Sequence, residues 1–83
     1  MIEMNLSDED KIILARGLNT QHTWLLDAIG DCIDNKNEEM LLKKLKERDN
    51  HLRIAEELGY PIEDSLRMNN LRRHAQKEGV IFR

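Results

Sequence analysis

The chain is poor in the residues that small domains use as staples and that sheets use as filling. Cys32 is its only cysteine, so no intrachain disulfide can brace it, and a reducing cytoplasm is the expected setting. Val80 is the only valine, and Phe, Tyr and Trp occur once each, which removes most of the β-branched and aromatic stock of strands. One proline and four glycines leave few interruptions to helix. No apolar run approaches the roughly 20 residues of a membrane span. The segment Met1 to Asp8 carries acids where a signal peptide or presequence needs Lys or Arg, so neither export nor membrane insertion is expected.

What is present is 40% hydrophobic and 35% charged residues in 83 positions, with a mean hydropathy of -0.66. That is enough apolar content for one packed domain over 1–83, although a chain this short buries only about 60% of its unfolded surface. Charge is divided unevenly. Residues 1–42 hold three bases and nine acids, a net of -6, whereas residues 43–83 hold ten bases and seven acids, a net of +3. Opposite signs favour contacts between the halves or two faces for different partners. The sequence pI near 5.6 speaks against a purely electrostatic nucleic-acid binder.

The pattern predicts an all-α domain of three helices, a long N-terminal antiparallel hairpin followed by a shorter C-terminal helix and tail. Ser7 before Asp8, Glu9 and Asp10 is an N-cap with acids against the positive helix end. Leu14, Leu18, Leu25, Ile29 and Cys32 then recur at helical spacing, widened by Ile13, Trp24 and Ile33. Gly17 and the polar run 19–23 leave a bend open, and residues 34–37 read as a turn. A second helix opens after Asn37 with the stripe Leu41, Leu45, Leu52, Ala55 and Leu58, and stops at Gly59 and Pro61. The third starts at Pro61 or after Asp64 or Ser65, turns Met68, Leu71 and Ala75 inward, and runs to Gly79. Residues 80–83 are expected to lay apolar side chains back on the core.

Catalysis and cofactor binding find little support in these residues. Zinc ligands usually arrive in close pairs, and His22, His51, His74 and Cys32 have no second His or Cys within one helical turn. Glu47 with His51 and His74 with Glu78 are spaced i,i+4, which more often gives a surface hydrogen bond. Asp27, Asp31 and Asp34 share a helix face and read as solvated. Cys32 falls on the apolar stripe, and Ser7 and Ser65 sit where caps belong. The expectation is therefore a chain that is not an enzyme and that has neither cofactor nor metal.

Residues 52–75 carry a resemblance. Leu52-Arg53-Ile54-Ala55-Glu56-Glu57-Leu58-Gly59 resembles the first helix and turn glycine of helix-turn-helix DNA-binding units, with Ala55 admitting a close second helix and Gly59 taking the left-handed turn. The resemblance implies a recognition helix at 65–79 whose Asn69, Asn70, Arg73 and Lys77 would face a major groove. This chain departs from that family in a longer turn, in Glu63 and Asp64 near the phosphate side, and in Leu66 at a usually β-branched position. More loosely, an acidic N-cap, a Leu-rich hairpin and a tail ending in aromatic and basic residues is similar to small proteins of bacteriophages and mobile elements. That similarity implies binding to a host protein or defence complex.

The leading expectation is non-enzymatic protein binding, with DNA binding as the alternative. The first helix is apolar over more of its girth than one neighbour covers, which predicts a homodimer or higher oligomer. Trp24 is expected to fill the core, as a large indole usually does in a small domain. Should it be exposed, Trp24 with His22 would form a protein-binding surface rimmed by Asp27 and Asp31.

Overall fold

A computed structural model describes residues 6–82. The amino-terminal reading against a presequence and the final Arg83 of the tail lie outside them. Three helices follow in order: α1 (Asp8–Asp34), α2 (Glu38–Leu58) and α3 (Ser65–Glu78).

Each boundary follows from local chemistry. Ser7 Oγ accepts the Asp10 N–H at 3.2 Å, and three acids occupy the first turn of α1. The helix continues through Gly17 without a break, and the threonines of the polar run return their hydroxyls to the Arg16 and Asn19 carbonyls, each at 3.1 Å. After Asp34 the chain turns at Lys36, whose φ of 54° is left-handed, and Asn37 Oδ1 accepts the Met40 N–H at 3.2 Å to open α2. Gly59 ends α2 with φ 84°, donating to Glu56 while Tyr60 donates to Ala55. Asp64 holds the N-cap position of α3 but makes no side-chain cap, and Glu63 Oε1 takes the Ser65 N–H at 2.8 Å instead.

α1 and α2 form the expected antiparallel hairpin, and α3 packs on another flank of α1. Arg67 meets Asp27, Leu71 lies beside Gly30 and His74 meets Asp34, so α3 runs in the same direction as α1. The core gathers Leu25, Leu26, Ile29, Cys32 and Ile33 of α1, Leu41 and Leu45 of α2, Met68 and Ala75 of α3, and Val80 of the tail. Phe82 packs partly against it beneath Arg72, whereas Ile81 stays exposed.

The core is therefore shifted toward the C-terminal part of α1. Leu14, expected inside, is 44% exposed, and Leu18, Leu52 and Leu58 are only half-buried. The reason lies in where α3 begins. Its first turn comes alongside Asp27, so the first half of α1 is covered only by the end of α2 and the 59–64 connection.

Candidate functional site

Three surfaces or clusters hold the residues singled out above. The first is a buried polar junction at His22. This residue falls three, four and seven positions before Leu25, Leu26 and Ile29, so the helix that buries them buries it too, and only 2% of it is exposed. His22 is thus not available to touch a partner directly, contrary to its expected place beside Trp24.

Burial of a polar ring requires partners. His22 Nε2–H donates to Asp64 Oδ2 at 2.8 Å, and Arg48 donates to both oxygens of the same carboxylate, Nε to Oδ2 at 2.9 Å and Nη2 to Oδ1 at 2.7 Å. The Arg48 hydrogen bond holds the Asp64 carboxyl below the usual carboxylate range, assisted by His22 and opposed by burial. Because that carboxylate stays charged and accepting, His22 Nε2 is the donor of that bond, and on the other side of the ring its Nδ1 lies 3.3 Å from His51 Nδ1. Burial, and then the proximity of His22, push the His51 imidazole below its ordinary value. One network thus joins α1, α2 and the cap of α3. The side chain expected to cap α3 has turned inward to serve it.

The second feature is an exposed apolar line along α1. Trp24 is 68% exposed and Ile13 67%, correcting the expectation that the indole fills the core. The two lie about three helical turns apart on one line, with Gly17 between them. Leu6, Leu14, Leu18, Ile54 and Leu58 continue the face as a shallow groove between the first half of α1 and the end of α2. A Cβ added at Gly17 would meet nothing within 4 Å, so the groove is open at that point. The acidic rim is smaller than expected: Asp31 is exposed, while Asp27 binds Arg67 at 2.8 Å and Asp34 binds His74. The charge asymmetry of the chain is partly satisfied within it, since these pairs join acidic α1 to basic α3.

The third is the outer face of α3, where Asn69, Asn70, Arg73 and Lys77 are all exposed. Leu66, 75% exposed, lies among them. α3 makes its close backbone contacts with α1 and not with α2.

Among the described residues, no three His, Cys, Asp or Glu side chains gather as a metal site, and no helix is long and apolar enough to cross a membrane. Cys32 is buried, and burial pushes its thiol up despite Lys44. The fold defines an all-α three-helix domain. No protein-family model matches the chain, nor does any curated protein or solved structure.

Proposed function

We propose that the chain is a non-catalytic protein-binding module whose working surface is the outward face of α1. The observation that carries this reading is the exposure of Trp24 and Ile13 on a single helix line flanked by Leu14 and Ile54. Exposed apolar residues are ordinary when scattered, but Ile13, Leu14 and Ile54 gather along one groove with an exposed Trp further along the same helix line, and such a grouping marks an association surface. Three side chains of types that support chemistry elsewhere have structural partners here: Ser7 caps α1, Asp64 binds Arg48 and Cys32 is packed in the core.

The first occupant of this surface is a second copy. Ile13 and Trp24 are equidistant from the midpoint between Leu18 and Asn19, so two antiparallel α1 helices related by a two-fold axis would set Trp24 against Ile13 of the partner subunit. Gly17 then lies close to the crossing, where the absence of a side chain lets the helices approach. Sedimentation velocity should show a concentration-dependent dimer, and Trp24→Ala should weaken it by about 2 kcal/mol, or roughly thirtyfold in Kd. A monomer throughout the micromolar range would contradict self-association and leave the face to a different protein.

A second reading, DNA binding through α3, is favoured by the common exposure of Asn69, Asn70, Arg73 and Lys77 on the side turned away from α1. It predicts salt-dependent retention of duplex DNA that Arg73→Ala weakens by about 1–3 kcal/mol. A chain that retains no duplex even at low salt rules this reading out.

A further inference from the structure

The His22–His51 contact brings together two imidazoles 29 positions apart in sequence, one from each arm of the hairpin, with ring centroids 5.4 Å apart and planes tilted by 54°. Two nitrogens bound to one tetrahedral ion at about 2.0–2.1 Å are themselves about 3.3–3.4 Å apart, which is the observed 3.3 Å separation of the two Nδ1 atoms. The other nitrogen of His22 donates to Asp64, and Arg48 fixes that carboxylate from its far side. A carboxylate behind a histidine is the support that ligating imidazoles usually have: it sets the tautomer, orients the ring and raises the basicity of the free nitrogen.

We infer that His22 and His51 form a ligand pair for a borderline divalent metal ion, Zn2+ or Ni2+, held between their Nδ1 atoms. The ion class follows from the donors, since imidazole nitrogens suit these ions and hard oxygen-seeking ions do not favour them. His51 opens onto a surface depression shared with Gln21, Trp24, Lys44 and Glu47, which gives an entry path. Glu47 stands one turn before His51 on α2, and its side chain is half exposed, so it can swing to supply an oxygen ligand. Lys44 lies 3.7 Å from Glu47 and opposes a cation there. With two protein nitrogens in place and water or Glu47 completing the shell, binding is exchangeable rather than permanent. A bound ion would tie α1 to α2 and so stabilise the folded hairpin by mass action.

The test is thermal unfolding of the chelator-treated full chain at neutral pH, with ZnCl2 added up to millimolar concentration. Zinc should raise Tm by about 5 °C or more. His51→Gln should abolish the rise, and His74→Gln, which alters a surface histidine bound to Asp34, should retain it. Lys44→Gln removes the opposing charge, releases Glu47 from its ion pair and leaves both histidines in place, and it should lower the zinc midpoint several-fold. NMR of the histidine ring nitrogens should show the His22 and His51 Nδ1 resonances moving together. An unchanged Tm, a rise that survives His51→Gln, a zinc midpoint that Lys44→Gln leaves in place, or ring resonances that do not respond would overturn the inference.

Discussion

Asp64→Ala should destabilise the domain by about 3–5 kcal/mol, the cost of leaving a buried ionic partner uncompensated, and most of the protein should be unfolded at 37 °C. The substitution strands the Arg48 guanidinium and the buried His22 Nε2–H at once, and it loosens the start of α3. Urea titration followed by circular dichroism measures the effect, and a loss below 1 kcal/mol would show that the junction carries little of the stability. The same residue sets an acid limb. Its folded pKa is depressed below the ordinary 3.8, so its contribution is whole above that value and is lost as pH falls through the depressed folded value. Asp64→Asn should flatten that limb.

Ile29→Ala should cost about 2–5 kcal/mol, because the side chain is fully buried where α1 faces the rest of the core and its removal leaves a cavity. Leu52→Ala, on the same apolar pattern but only half-buried, should cost less than half as much. Equal midpoint shifts for the two variants in urea would contradict the placement of the core.

The helices themselves were legible because each has a local signal. Ser7, Asn37 and Asp64 stand at the N-cap positions, and Gly59 and Gly79 take left-handed C-caps. The extent of burial was not legible, because apolar periodicity gives the inward face of a helix but not how far a third helix covers it. Leu14 and Leu25 share one stripe, and only Leu25 meets enough of the fold to be buried. Trp24 was misplaced for a related reason. Its hydrophobicity suggested the core, while its angular position, about 100° from Leu25, put it outside. The polar junction joins positions 22, 48, 51 and 64, whose separations carry no local pattern. Its one visible trace was His22, a polar residue on the buried stripe.

The exposed Trp24 face is the centre of this account, and its fluorescence tests it directly. Measured from nanomolar to high micromolar protein alongside sedimentation, the emission should be red-shifted and readily quenched by acrylamide in the dilute monomer, then move to the blue and become protected as dimer forms. Blue-shifted, quencher-resistant emission in a demonstrated monomer would place the indole in the core and contradict both the structure at Trp24 and the function proposed from it.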